Sequence, residues 1–108
     1  RRDLSIRRFI ADRINSKKVV LFTKYYCPYC RKAKKIFRKH LGRDSYKQYC
    51  DVIDVTATLY EEEIMNELKE MTGARTVPRV FVNGKCIGGC DDTIKAHESG
   101  LLWKLLSR

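Results

Sequence analysis

The stretch Val19-Val20-Leu21-Phe22-Thr23-Lys24-Tyr25-Tyr26-Cys27-Pro28-Tyr29-Cys30 decides the fold of this chain. Its apolar first part predicts a buried strand, and the basic segment after Cys27 has the spacing of an amphipathic helix. At such a junction the first helical N–H groups are unpaired, and together with the helix dipole they stabilise a thiolate. Cys27 is therefore interpreted as a redox-active thiol. Cys30 lies three residues on, on the same helical face, so the two sulfurs are expected to meet as a disulfide.

The composition predicts one domain over residues 1–108. A chain of this length buries about two thirds of its unfolded surface, so its five cysteines are not needed as cross-links. The odd number of cysteines, the lack of a signal-peptide pattern and the lack of a long apolar run argue against a secreted disulfide scaffold and a membrane span. The sequence therefore predicts a cytoplasmic protein with no membrane partner.

The positive charge lies in the half of the chain that holds the two cysteines. The net charge is +10, but residues 1–43 carry 15 Lys or Arg against 2 Asp or Glu, whereas residues 44–108 carry 8 against 11. Such a field attracts anionic substrates and acidic proteins and favours a thiolate. Nucleic-acid binding is the alternative. The basic residues form only doublets that alternate with apolar helical positions, so a solvated face is favoured and no nucleic-acid partner is expected.

Hydrophobic periodicity and turn residues predict an α/β domain with a small mixed sheet. The predicted helices cover residues 3–15, Cys27 to a stop at Gly42, Glu61 to Gly73, Thr93–Glu98 with Asp91 or Asp92 as cap, and 101–106. The predicted strands are Val19–Thr23, Tyr49–Val55, Arg79–Val82 and Lys85–Ile87, the last two joined by an Asn83-Gly84 turn.

Two further motifs have both a structural and a functional interpretation. Val77-Pro78 precedes a strand, where an X-Pro bond can be cis and the free backbone of Val77 could pair with an extended thiol peptide. The alternative is an ordinary turn proline. The run from Gly88 to Asp92 places glycines before a helix N-terminus, whose amides could bind a carboxylate. Taken alone, that run is better explained as a capped turn.

The remaining cysteines are expected to be small buried hydrophobic residues. They are Cys50, Cys86 and Cys90. A secondary disulfide between Cys86 and Cys90 is an alternative, and so is a zinc site formed by these two with Cys27 and Cys30. The separation of more than fifty residues between the two pairs is unlike that of compact zinc ribbons, so thiol–disulfide chemistry is the favoured interpretation.

At this point the chain resembles the glutaredoxins, in particular their dithiol Cys-Pro-Tyr-Cys class. The resemblance rests on three runs in order: Lys24 to Cys30, Thr72-Gly73-Ala74-Arg75-Thr76-Val77-Pro78-Arg79, and Gly88 to Asp92. It implies the thioredoxin fold, a four-stranded mixed sheet flanked by helices, with a cis Pro78. It also implies glutathione as electron donor for reducing protein disulfides and glutathione mixed disulfides. Cys27 would be the nucleophile that forms a mixed disulfide with glutathione, and Cys30 would resolve protein disulfides.

The same resemblance implies a glutathione site. Lys24 and Arg75 would attract the glycine carboxylate of the tripeptide, and Tyr29 would line the groove. Val77 would pair with the cysteine backbone of the tripeptide, held by Thr76 and Pro78. The γ-glutamyl end would be held by the amides of Cys90 and Asp91 and by the Asp92 carboxylate.

Two residues depart from the family pattern. Met65 stands where relatives often have a polar side chain that reaches toward glutathione, and Asp91 replaces a frequent Ser or Thr. The implied partners are glutathione and glutathionylated or disulfide-containing proteins, and the protein is expected to be a monomer without a metal. An iron–sulfur carrier with a cluster bridged through Cys27 and glutathione is the alternative, which the stiffness of Pro28 disfavours.

Overall fold

The computed structural model describes residues 4–108. Within them lie the helices α1 (Leu4–Ile14), α2 (Pro28–Leu41), α3 (Arg43–Tyr49), α4 (Glu61–Thr72), α5 (Cys90–Ser99) and α6 (Leu101–Leu106). The strands are β1 (Val19–Thr23), β2 (Cys50–Asp54), β3 (Arg79–Val82) and β4 (Lys85–Gly88), and a 3₁₀ turn at Val55–Ala57 follows β2. Asp3 of the predicted first helix, and residues 1–3 of the predicted domain, lie outside the described residues.

The four strands form one mixed sheet in the order β2-β1-β3-β4. β1 is parallel to β2 and antiparallel to β3, and β3 is antiparallel to β4. One face of the sheet packs against α1 and α4 through an apolar cluster that includes Ile10, Phe22 and Leu68. The other face packs against α2, α5 and α6, with Phe37 and Leu102 in its cluster. The predicted α/β class with a four-stranded mixed sheet flanked by helices is confirmed.

Strand register brings three distant loops to one end of the sheet. Phe22, near the end of β1, pairs with Arg79 at the start of β3, so the loop that leads to Cys27 lies beside Pro78. Val80 pairs with Gly88 at the end of β4, which places the start of α5 next to the same proline. The parallel pairing of β1 and β2 brings the start of α4 to this end as well. A functional site is therefore expected where these loops meet.

The region before and after β2 differs from the prediction. Residues Arg43–Tyr49 form a helix, so Tyr49 is not in the strand, and Val55 belongs to the 3₁₀ turn rather than to β2. Gly42, at φ 80°, separates α2 from α3, and the amide of Tyr46 donates to its carbonyl. The short helix has no fully buried residue, and such a polar segment lacks the apolar periodicity on which the prediction depends.

The start of α5 also differs from the prediction. The helix begins at Cys90 rather than Thr93, and its N-cap is Gly89 rather than an aspartate. The Asp92 carboxylate reaches back and accepts a hydrogen bond from the Gly89 amide at 2.9 Å. An aspartate at the third helical position can therefore accept the hydrogen bond of the N-cap amide. This contact is one of the two hydrogen bonds of a capping box.

The three cysteines outside the pair are free thiols. All three were expected to be buried, but one of them is exposed. Cys86 is exposed on the edge strand β4, whose first two residues both face solvent, and Cys90 is not bonded to it. Cys50 is buried, and this burial raises the pKa of its thiol to about 12. Burial likewise raises the pKa of Cys90. Within residues 4–108, no helix combines the length and the hydrophobicity needed to cross a membrane.

A histidine pair links α2 to α5. The Nε2 atom of His40 and the Nδ1 atom of His97 are 2.7 Å apart, a hydrogen-bond distance that requires one of these nitrogens to be unprotonated. Burial, followed by the nearby charge of His97, lowers the pKa of His40 below its usual 6.5. The folded protein therefore holds His40 neutral at pH values where the unfolded chain begins to bind a proton.

We expect this pair to make the protein less stable in mild acid. Because the folded-state pKa of His40 is lowered, its contribution to stability is present above pH ~6.5 and is lost as the pH falls through the folded pKa. The free energy of unfolding, measured with urea at pH 7.5 and pH 5.5, should fall more in the wild type than in His40→Gln. Equal losses in the two proteins would contradict the role of His40.

Candidate active site

The two cysteines of the tetrapeptide form a disulfide at the start of α2. Cys27 is the N-cap with extended backbone, Pro28 occupies the first helical turn, and the Cα atoms of Cys27 and Cys30 are 5.2 Å apart. The Cys30 amide donates to the Cys27 sulfur at 3.2 Å, so an unpaired helical N–H faces this sulfur as predicted. Cys30 is only 1% exposed, whereas Cys27 is partly exposed. Only the Cys27 sulfur is therefore open to a partner from solution.

Exposed aromatic residues precede and follow the accessible cysteine in the sequence. Tyr25, Tyr26 and Tyr29 are 79%, 81% and 62% exposed, so they do not pack into the core. Tyr26 has φ of 53°, which is uncommon for a residue other than glycine, and the Arg31 guanidinium lies over its ring at 5.6 Å. The loop before Cys27 thus presents apolar surface to solvent next to the disulfide.

A groove of about 290 Å³ lies beside the disulfide-bearing helix. Seven of the nine residues predicted to contact glutathione line it: Tyr29, Thr76, Val77, Pro78, Cys90, Asp91 and Asp92. The predicted cis bond between Val77 and Pro78 is confirmed. Segments that are more than ten residues apart in sequence thus form one surface, as the strand register requires.

The start of α5 forms one end of this groove. Gly88 has φ of 118°, and a Cβ there would overlap the Asp92 carboxylate, so this position needs glycine. The amides of Cys90 and Asp91 lie in the first turn of a ten-residue helix, where N–H groups lack helical partners. This end of the groove is suited to an anionic group. One oxygen of Asp92 is already used in its hydrogen bond to Gly89.

The groove contains two residues that were not predicted, Arg79 and Gly89. Arg79 is 7% exposed, and its Nε donates to the Pro78 carbonyl at 3.3 Å. A Cβ on Gly89 would lie 2.9 Å from Nη2 of Arg79, so a side chain at residue 89 would displace the guanidinium. A charged residue at the start of a buried strand is the signal that could have identified Arg79.

Lys24 and Arg75 do not line the groove. Both pair with the acidic first turn of α4: the Lys24 Nζ is 3.4 Å from Oε2 of Glu61, and the Arg75 Nη2 is 2.7 Å from Oε2 of Glu62. Asn66 accepts a further hydrogen bond from Nε of Arg75 at 3.0 Å. Both cations thus have carboxylate partners in the first turn of α4.

The structure also bears on Met65 and on metal binding. Met65 is fully buried in the cluster beneath α4, where its side chain completes the core rather than facing a ligand. Within residues 4–108 there is no group of three or more His, Cys, Asp or Glu side chains that could hold a metal ion.

Comparison with known proteins identifies relatives of this arrangement. The Glutaredoxin family model matches residues 19–87. The chain is 46% identical to Glutaredoxin-C4 of Arabidopsis thaliana over 102 residues, which cover 91% of this chain and 68% of that protein. It is similar to the crystal structure of oxidized glutaredoxin 2 from Chlamydomonas reinhardtii, with a TM-score of 0.87 and 36% identity over 99% of this chain and 95% of that one. A buckwheat glutaredoxin–glutathione complex gives a TM-score of 0.87 and 34% identity over 96% and 89% of the two chains.

Proposed function

The chain belongs to the glutaredoxin family and has its thioredoxin fold, and from that membership we propose that Cys27 and Cys30 carry its chemistry. The protein is a glutathione-dependent thiol–disulfide oxidoreductase. Its substrates are proposed to be glutathionylated proteins and proteins with disulfides. The observation that carries this proposal is the partly exposed Cys27 at a helix N-terminus, together with a neighbouring groove that is lined by seven of the nine residues expected to contact glutathione.

Removal of glutathione from a protein needs only Cys27. Its thiolate attacks the sulfur of the glutathione moiety, so that the Cys27–glutathione disulfide forms and the substrate leaves as a thiolate. A second glutathione thiolate then attacks the glutathione sulfur of this mixed disulfide. Oxidised glutathione forms and Cys27 leaves as a thiolate, so one free glutathione is consumed and the mixed disulfide of the substrate is replaced by oxidised glutathione.

Reduction of a protein disulfide needs both cysteines. Cys27 attacks one sulfur of the substrate and forms a mixed disulfide with the protein, which releases the other substrate sulfur as a thiolate. Cys30 then attacks the Cys27 sulfur, releases the reduced protein and leaves the Cys27–Cys30 disulfide. Two molecules of glutathione return this disulfide to the dithiol.

The glutathione moiety is proposed to lie along the groove, with each charged group at its two ends facing a protein group of opposite sign. Its cysteine backbone pairs with Val77, whose neighbour Pro78 keeps the strand edge open because proline has no N–H. Its γ-glutamyl carboxylate meets the first amides of α5 at Cys90 and Asp91, and the Asp92 carboxylate meets the γ-glutamyl ammonium. The glycine carboxylate points toward Lys24 and Arg75. Tyr29 and Thr76 complete the walls.

The assignment of the glycine end predicts a kinetic effect. Replacing Lys24 or Arg75 with alanine should raise the KM for glutathione by about threefold to tenfold, because a charge-assisted contact of a partly exposed cation contributes about 0.7–1.4 kcal/mol. The value of kcat should change less, since neither cation touches the reacting sulfurs. The test is turnover of a protein disulfide at varied glutathione, because the first glutathione that reduces the Cys27–Cys30 disulfide then enters an empty groove. Oxidised glutathione is measured by a coupled reductase. An unchanged KM in both variants would remove the proposed role.

The cellular setting is also a proposal. We propose that the protein acts as a monomeric single domain in the cytoplasm, without a resident metal and without a nucleic-acid or membrane partner. The three free thiols, Cys50, Cys86 and Cys90, are consistent with a reducing compartment.

A further inference from the structure

The acidic first turn of α4 lies against the cations that would receive the glycine end of glutathione. Glu61 pairs with Lys24, and Glu62 pairs with Arg75. These two glutamates come from a different element than the cations, so the contacts depend on the fold rather than on proximity in sequence. In the free protein, the glycine subsite is therefore already neutralised by carboxylates of the same chain.

The contacts of Arg75 leave fewer free donors for an incoming carboxylate than the single ion pair of Lys24 does. Its Nε donates to Asn66 and its Nη2 donates to Glu62, so both donors on the side edge of the guanidinium are engaged. That edge is one on which arginine makes two parallel hydrogen bonds to a carboxylate. An incoming glycine carboxylate must then displace Glu62 or bind only through the end of the guanidinium.

We propose that Glu61 and Glu62 act as built-in competitors for the glycine carboxylate and set the affinity of this enzyme for glutathione. This inference rests on the proposed function, since it needs Lys24 and Arg75 to bind that carboxylate. The glutamates act through the two cations and are positioning residues. They weaken the preference of the site for a charged glycine end, so the enzyme tolerates thiols whose glycine carboxylate is masked.

Removing the competitors should strengthen glutathione binding. An exposed ion pair changes an equilibrium by about 1.5-fold to fivefold, so the double variant Glu61→Gln with Glu62→Gln should lower the KM for glutathione by about threefold to tenfold. Both constants should be measured with a protein disulfide as substrate, so that the first glutathione enters an empty groove, and kcat should change less than KM. Glu63→Gln is the matched control, because Glu63 lies in the same helical turn, is exposed and makes no ion pair within residues 4–108. Its KM should equal that of the wild type.

A masked ligand separates direct competition from a structural effect. Glutathione ethyl ester, with the glycine carboxylate esterified, cannot compete with the glutamates for the two cations. The ratio of KM values for the ester and for glutathione should therefore increase about threefold to tenfold in the double variant, because only the KM for glutathione falls. A variant that merely rearranged the site would shift both KM values together.

The outcomes distinguish this proposal from the function on which it rests. Suppose that the wild type turns over glutathione but the double variant has the same KM for glutathione, or shows an equal decrease in KM for glutathione and for the ester. The competition is then disproved and the enzyme function stands. A KM decrease in Glu63→Gln equal to that in the double variant would also disprove it, because the general charge of the helix would then be the cause. If the wild type shows no glutathione-dependent turnover, both proposals fail.

Discussion

Replacing Cys27 with serine is expected to abolish enzyme-dependent turnover of both glutathionylated proteins and protein disulfides. Both reactions start with the Cys27 thiolate, and the serine hydroxyl is neither ionised at neutral pH nor able to form a disulfide. The buried Cys30 cannot substitute, because it is 1% exposed and no external sulfur can reach it. The residual rate should equal that of glutathione alone with the same substrate.

The exposed thiol Cys86 offers a matched control. Cys86→Ser removes a free sulfur from the edge strand β4, and this residue does not line the groove. Its turnover should equal that of the wild type.

Mass spectrometry of Cys30→Ser after treatment with oxidised glutathione should show one added glutathione on Cys27. Turnover of Cys27→Ser above the uncatalysed rate would overturn the assignment of the nucleophile.

The benefit of a helix N-terminal thiol lies mainly in the second step. For a thiol whose pKa is lowered from about 8.5 to about 5, the ionised fraction at pH 7 rises about thirtyfold. The thiolate becomes less nucleophilic over the same range, by about fortyfold at a Brønsted slope of about 0.45. The two effects nearly cancel for attack. A less basic thiol is, however, a better leaving group when glutathione attacks its mixed disulfide, and in this enzyme that step returns Cys27 to its reduced form.

The local parts of this site could be predicted from the sequence alone. The strand, the turn and the helix that hold Cys27 and Cys30 are consecutive in the chain, and the helix N-terminus that faces the sulfur follows from the periodicity after Pro28. The hairpin between β3 and β4 follows from Asn83-Gly84 in the same way. Short-range rules are sufficient for these features because each one is decided by residues within a few positions.

The groove could not be derived in that way. The β3–β4 hairpin brings Gly89 to Asp92 beside Thr76 to Pro78, but Tyr29 joins them only because β3 also pairs with β1, a long-range contact that no local pattern determines. The resemblance to the glutaredoxins supplied those residues instead. It did not supply three further features of the structure. The pairing of Glu62 with Arg75, the buried Arg79 and the polar helix Arg43–Tyr49 all depend on tertiary contacts or lack apolar spacing.

Replacing Cys30 with serine is expected to separate the two activities. Deglutathionylation uses only Cys27, so this variant should retain it. Protein-disulfide reduction should fall by at least about a hundredfold, because attack by a well-placed neighbouring thiol corresponds to an effective concentration far above millimolar glutathione. The 5.2 Å between the Cα atoms of Cys27 and Cys30 allows that intramolecular attack. Both rates should be measured at the same glutathione concentration, one with a glutathionylated peptide and one with an intact protein disulfide.

The test depends on the ratio of the rate on the glutathionylated peptide to the rate on the protein disulfide, since loss of folding would lower both rates together. A retained rate on the glutathionylated peptide shows that the Cys27 site and the groove are intact in the variant. The missing step is then the attack of residue 30 on the Cys27 sulfur, and the variant should accumulate a mixed disulfide with its protein substrate. If Cys30→Ser reduced both substrates at the wild-type rates, glutathione itself would be resolving every intermediate, and the buried thiol would have no part in the reaction.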